Sequence, residues 1–413
     1  MTTTAARAHA TAQTIIGALA DPEQVRFSTT APPVRTRPQS LGGGAAGVAL
    51  AHIEAARTGH GPWSTARTWL TRAADGPLTG AHNATLWFGA PALALLTSTA
   101  ATDPAHLATA RDRLNQATER RTRARLEQAH ARLDRGERPR LAEFDLIEGL
   151  SGLGVYHLHV RPDADITAQV LSYLVRLTQP LQGDPEQLPG WWSEQAPTTT
   201  ADALPGGHAN LGMAHGITAP LAVLSMALRR GVVVEGHADA ITRVCTFLDT
   251  WRQHGPNGVW WPYYVTRAHL SSGRVGPTNQ QRPSWCYGTP GLARAQQLAA
   301  LALRDDDRRS MAEQAMADCL RDPVQLHSLT ELGLCHGWAG LLHCAWRVND
   351  DAPGTPLSAD LDRIADTLVD RLDHNGSQDP ELLDGRAGAA LALHTMATGP
   401  APSIPWDACL ALA

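Results

Sequence analysis

The feature that most constrains this chain is a short motif that recurs seven times: a Gly, two residues, a small residue, then an apolar run. It reads Gly44-Ala-Ala-Gly47, Gly89-Ala-Pro-Ala92, Gly149-Leu-Ser-Gly152, Gly216-Ile-Thr-Ala219, Gly288-Thr-Pro-Gly291, Gly337-Trp-Ala-Gly340 and Gly385-Arg-Ala-Gly388. Successive first glycines lie 45, 60, 67, 72, 49 and 48 residues apart. That period suits a pair of helices with their loops. Amphipathic stretches such as Ala240 to Trp251 and Ala359 to Leu372 fall between the motifs. Small residues at i and i+3 strip one helix face of bulk, so neighbouring helices can approach near their N-termini. The expectation is an all-α chain in which seven inner helices alternate with seven outer ones. Seven units with small inner helices favour closure into an α/α toroid, residues 1–413 forming one domain; an open α-solenoid is the alternative.

Composition bounds the function. Apolar residues make up 43% of the 413 and charged residues 18%, which permits a large core and excludes wholesale disorder. The net charge of −5 gives no case for nucleic-acid binding. Trp is 12 against Phe 4 and Tyr 5, so Phe is not the main core filler and small residues must do much of the packing. Six Cys in a chain of this length do not make a disulfide scaffold. The apolar run Ile15 to Ala20 is too short for a signal sequence. The uncharged stretches Gly76 to Thr102 and Ala203 to Leu228 carry too many Pro, Gly, His and Asn residues to face lipid. These readings point to a reducing, cytoplasmic setting with free thiols.

Two long loops interrupt the repeats, at about 181–210 and 252–285. The first carries Pro189-Gly-Trp-Trp192 and a Thr-rich run; the second carries Trp260-Trp261-Pro-Tyr-Tyr264 and a stretch rich in Gly, Pro and Gln. Loops of this length in a compact domain are commonly binding elements, and their tryptophans are expected to line a groove for a peptide. A charged segment at about 104–140, with ten Arg against five acidic residues between Arg111 and Arg140, reads as a long helix with a solvated face.

Chemistry gathers at the helix starts. Aligned on their first Gly, the repeats place Cys286 and Cys335 two residues before it, and His215, Tyr287 and His336 one residue before it. Equivalent positions of a closed repeat share one rim. Two Cys and one His there make a three-ligand zinc site, Cys286, Cys335 and His336, with the fourth position open to water or substrate. A lone Cys at such a place is usually a small hydrophobe; two in adjacent repeats, in Cys-Tyr-Gly and Cys-His-Gly, argue otherwise. His215 could close the site as a fourth ligand, but reads better as a general acid/base. Asp145 would orient His215, or cap the following helix. Arg282 would stabilise a developing negative charge, or lie on the surface. His208, His343 and His394 have weaker cases, His343 reading as a packed core residue.

At these residues the chain resembles the lanthionine synthetase C family, the LanC-like lanthipeptide cyclases. The motifs are Asp145-Leu-Ile-Glu-Gly-Leu-Ser-Gly152, Asn210-Leu-Gly-Met-Ala-His-Gly216, Ser284-Trp-Cys-Tyr-Gly-Thr-Pro-Gly291 and Leu334-Cys-His-Gly-Trp-Ala-Gly340, with the Pro-Gly-Trp-Trp and Trp-Pro-Tyr-Tyr segments also fitting. The resemblance spans nearly the whole chain. It implies a seven-fold double α-barrel and one Zn2+ held by Cys286, Cys335 and His336. It also implies that His215, Asp145, Arg282 and Tyr287 occupy the other active-site positions. The implied activity is Michael addition of a peptide Cys thiol to dehydroalanine or dehydrobutyrine, giving a (methyl)lanthionine thioether. The implied partners are a dehydrated precursor peptide, a separate dehydratase and, peripherally, a membrane-bound biosynthetic complex. Two repeats depart from the pattern, with Ala92 and Ala219 in place of Gly.

Other readings share parts of this site. A family member adding glutathione or another free thiol to dehydrated proteins would keep the same residues. A prenyltransferase-like enzyme would want more aromatics than 5%. A non-catalytic peptide-binding scaffold would not need the full set of Cys286, Cys335, His336 and His215.

Overall fold

The computed structural model describes residues 2–27, 38–103, 105–197, 204–276, 282–352, 357–375, 379–401 and 404–413. The Thr-rich run of the first long loop and much of the Gly/Pro/Gln-rich stretch of the second lie outside these residues.

Helices begin where the repeated motif places them. Gly44, Gly89, Gly149, Gly288, Gly337 and Gly385 each stand immediately before a helix. These are Ala45–Arg57, Ala90–Ala100, Leu150–Val160, Thr289–Leu303, Trp338–Asp350 and Arg386–Thr398. The remaining motif feeds Thr218–Arg229, which starts two residues after Gly216. All seven are buried along most of their length, as expected of inner helices. Seven more precede them in the chain: Thr3–Ala18, Trp63–Ala73, Ala108–Asp134, Asp165–Leu177, His237–Thr250, Asp306–Arg321 and Ser358–Asn375. These bury one face only, as their apolar spacing requires.

The long loops hold more order than their sequence suggests. His208–Asn210 pairs antiparallel with Tyr264–Thr266, Asn210 opposite Tyr264. Gln253–Gly255 pairs with Gly258–Trp260. The tryptophans expected to line a groove are instead core residues: Trp191, Trp192, Trp260 and Trp261 are all buried. A buried indole usually finds an acceptor: Trp192 Nε1 donates to Gly206 O at 3.0 Å and Trp261 Nε1 to Leu248 O at 3.0 Å, whereas Trp191 Nε1 has none among the described residues.

By contact the chain sorts into two compact units, Met1–Thr118 with His327–Cys409, and Glu119–Leu326 with Leu410–Ala413. In the first, Trp338–Asp350, Arg386–Thr398, Ala45–Arg57 and Ala90–Ala100 pack in that order. The last repeat therefore packs on the first, which an open solenoid forbids. In the second, Leu150–Val160 packs on Thr218–Arg229 and that on Thr289–Leu303.

A belt of main-chain hydrogen bonds joins the helix starts. The carbonyl two residues before a first Gly accepts an N–H from the preceding repeat. Leu41 donates to Trp87 (2.9 Å), Leu146 to Ala214 (3.1 Å), Met213 to Cys286 (2.9 Å), Cys335 to Leu383 (2.9 Å) and Leu382 to Gly42 (3.0 Å). The last of these links repeat seven to repeat one.

The second Gly of each motif answers mainly to its own loop. A Cβ on Gly47, Gly291, Gly340 or Gly388 would sit 2.2, 2.3, 2.0 or 2.0 Å from the carbonyl oxygen six residues earlier. Neighbouring repeats add to this: the Gly388 Cβ would also lie 2.7 Å from Leu334 Cδ1. The small-residue spacing thus lets a loop fold back over its helix start, and close helix approach comes second. Gly388→Ala is expected to cost about 1–3 kcal/mol by overpacking. Ala219→Gly should cost only about 1 kcal/mol, through helix propensity. Urea unfolding of both variants checks this; equal losses would refute the loop-contact explanation.

No helix among the described residues is long and apolar enough to cross a membrane. The charged segment forms the helix Ala108–Asp134, and it is not simply solvated: Leu114, Thr118, Thr122, Leu126, Ala129 and Arg132 are buried.

Candidate active site

The loop Asp145–Gly149 precedes the buried helix Leu150–Val160. Asp145 is 1% exposed, and its two carboxylate oxygens do different work. Oδ1 accepts the N–H groups of Glu148 (2.7 Å) and Gly149 (2.8 Å), tying the loop to the helix start. Oδ2 lies 2.6 Å from His215 Nδ1. Asp145 therefore contacts His215 through one oxygen and ties its own loop through the other; the N-cap of the following helix is Gly149, without a side-chain cap bond, so Asp145 is not that cap. The bond to Nδ1 leaves His215 Nε2 facing outward, and 35% of the side chain is open to solvent. Burial alone would lower the His215 pKa. The hydrogen bond and charge of Asp145, then Glu148 and the Cys286 sulfur, outweigh it and hold the imidazole above its ordinary value.

Cys286 is 7% exposed and sits in the same unit, its carbonyl held by Met213. Ser284 Oγ accepts the Tyr287 N–H at 3.3 Å and donates to the Tyr287 carbonyl, which pins the turn. Gly288, at φ 117, follows; a Cβ there would lie 2.6 Å from Arg282 O, so only Gly serves. The Tyr287 hydroxyl accepts from Asn210 Nδ2 at 2.8 Å. Its ring lies 4.8 Å from that of Tyr263 and 5.8 Å from that of Tyr264. Burial pushes the Tyr287, Tyr263 and Tyr264 phenols up, so all three are neutral hydrogen-bonding groups. The Arg282 charge works against that rise at Tyr263 without cancelling it.

In the other unit, Cys335 and His336 lead into the helix Trp338–Asp350. Cys335 is fixed through its N–H to Leu383 O. His336 Nδ1 is 3.9 Å from Asp384 Oδ1, which occupies the equivalent position of the next repeat. Cys335 and His336 offer a thiol and an imidazole in this unit, and Cys286 offers a second thiol in the other. Two thiols and one imidazole are the soft donors that favour zinc over magnesium or calcium, so the residues fit the metal the resemblance implies.

The weaker histidines are structural. His343 donates to Asp407 at 2.7 Å in a buried network with Arg347, as a packed core residue should. His394 is buried and bonded to Thr58. His208 is buried against Tyr264. Sequence reasoning gave Asn210, Tyr263 and Tyr264 no role, although all three lie in quoted motifs. Only the strand pairing brings them to Tyr287.

The fold and these residues define a family. The chain belongs to the lanthionine synthetase C-like proteins, whose family model matches residues 36–410. It is 25% identical over 206 residues to the nisin biosynthesis protein NisC of Lactococcus lactis subsp. lactis, a match spanning 48% of each chain. It thus matches about half the length of that curated relative. A solved structure of nisin cyclase shares the fold at a TM-score of 0.73 and 19% identity, covering 97% of this chain and 96% of that one. The fold is accordingly all-α, an α/α toroid.

Asp145→Asn should keep the loop tie and lose the charge that raises His215. NMR titration of the His215 ring should give a lower pKa in the variant than in the wild type. The linked stability has a definite sign. A group raised in the folded state stabilises fully below its unfolded value of 6.5 and loses that contribution as pH climbs through the folded one. The wild-type advantage over Asp145→Asn should therefore shrink as pH rises through that window, which urea titrations at several pH values would show.

Proposed function

We propose that this protein is a zinc-dependent lanthipeptide cyclase, residues 1–413 acting as one domain. It would join peptide Cys thiols to dehydroalanine or dehydrobutyrine as (methyl)lanthionine rings. Family membership supports the reaction class. The observation that carries the reading is the buried Asp145 held 2.6 Å from His215 Nδ1, with Cys286 and Tyr287 in the same unit. A resident Zn2+ would be held by Cys286, Cys335 and His336, and would supply thiol acidification and a fixed position for the attacking sulfur.

The chain's own residues account for the rest. Attack of the substrate thiolate on the β-carbon forms a C–S bond and moves the alkene electron pair to the neighbouring carbonyl as an enolate. The Tyr287 hydroxyl and Arg282 would hydrogen-bond that oxygen. His215, more protonated at neutral pH than an ordinary imidazole, delivers a proton to the α-carbon from one side and so sets its configuration. Asp145 holds the ring in the tautomer that presents Nε2. The net reaction adds S–H across C=C, with no oxidant or leaving group. Dehydro-residues arise by loss of water from Ser or Thr, so a dehydratase must act first. Six free cysteines suit the reducing cytoplasm, where docking to a membrane-bound biosynthetic complex would be peripheral.

The test is mass spectrometry of a dehydrated, Cys-containing peptide with a thiol-alkylating probe. Wild-type protein should consume thiols without mass change, and a chelator should stop it. Cys286→Ala should abolish both zinc content and acceleration. His215→Ala should keep its zinc and slow the reaction about 10²–10⁴-fold. A peptide that binds without thiol loss would mark a scaffold, and addition only of free glutathione would mark the intermolecular enzyme.

A further inference from the structure

The two long loops meet in one short antiparallel ribbon, His208–Asn210 with Tyr264–Thr266. Within it Asn210 stands opposite Tyr264, and both face Tyr287. The polarity of the Asn210 contact can be settled from its partners. The Gly212 N–H donates to Asn210 Oδ1 at 2.9 Å, which fixes the amide so that its NH₂ faces the other way. Asn210 Nδ2, 2.8 Å from the Tyr287 hydroxyl, must therefore donate. A phenol oxygen that accepts there cannot aim its own proton there. The Tyr264 ring packs edge-on against the Tyr287 ring at 5.8 Å between centroids.

The surroundings hold the ring in this pose. Gly212 makes room for it: a Cβ there would lie 2.5 Å from Tyr287 Cε1. Tyr263 packs on it at 4.8 Å between ring centroids. Ser284 pins its backbone. Each loop thus contributes one member of a cross-strand pair whose shared object is the Tyr287 side chain, Asn210 at its hydroxyl and Tyr264 against its ring.

We infer that Asn210 is a positioning residue for Tyr287: by donating to the phenol oxygen it obliges Tyr287 to direct its own proton elsewhere than to Asn210. A phenol proton not spent on Asn210 is available to stabilise negative charge on a substrate oxygen. This rests on the cyclase reading for its kinetic consequence, but not for its geometry. Asn210→Asp is nearly isosteric and keeps an acceptor for the Gly212 N–H. Its second oxygen has no proton to give and competes for the Tyr287 proton, so the polarity reverses.

Two measurements test it. With ¹³Cζ-tyrosine labelling, the five tyrosines give few signals, and Tyr287→Phe assigns the one of interest. Asn210→Asp should shift the Tyr287 signal, with zinc content and Tm retained. An unmoved signal overturns the inference, whatever the protein's activity. In turnover, Asn210→Asp should lower kcat about 10–100-fold with little change in KM. In a Tyr287→Phe background the same substitution should cost almost nothing further, because the hydroxyl it acts through is gone. Additive losses would overturn the positioning role. If wild-type protein turns over no dehydrated peptide, the cyclase reading fails and the NMR result still decides the geometry.

Discussion

The structure depends on a main-chain contact: in five repeats the carbonyl two residues before the helix-start Gly accepts an N–H from the repeat before it. A buried carbonyl without a donor is costly, so each link fixes where the next loop must run. The inner helices are rich in Ala and Gly, and each buried methyl contributes only about 0.8 kcal/mol. Side-chain packing of this kind specifies register weakly. The belt supplies the register instead, and the glycines are what allow it: any side chain at Gly340 or Gly388 would collide with the loop's own carbonyl.

This division of labour explains how catalytic groups gather on a repetitive scaffold. The belt is made of backbone atoms, so side chains beside it are released from holding the fold. The residue preceding the first Gly is His215, Tyr287 or Asp384 in three repeats that share the same backbone contact. Asp145 is an exception that serves both ends, one oxygen for the loop and the other for His215.

Much of this was legible in the sequence because the repeat is carried by glycines that cannot be replaced silently. The seven helix starts, the buried helices and the pairing of Asp145 with His215 follow from spacing and residue type. The tryptophans misled. In a loop they suggest a binding groove, yet Trp192 and Trp261 are core pieces whose indoles bond to carbonyls close by in the chain. Three-residue strands leave too short a pattern to read, so the Asn210–Tyr264 pairing, and with it the support of Tyr287, was hidden. The buried face of Ala108–Asp134 was hidden too, because Arg and Thr occupy positions where apolar residues would have announced it.

One contact bears on how the chain is made. The Trp285 indole, next to Cys286, donates to Leu410 O at 3.0 Å across 125 residues, and the buried Arg294 guanidinium donates to Leu412 O at 2.9 and 2.8 Å. Contacts this distant in sequence form late, since loop closure must come first. A nascent chain that has only just emerged through Cys286 would hold an unsatisfied indole N–H and an unsatisfied guanidinium where the finished protein has neither. The thiol-bearing turn therefore cannot mature on the ribosome as its own segment appears; it must wait for translation to run more than a hundred residues further.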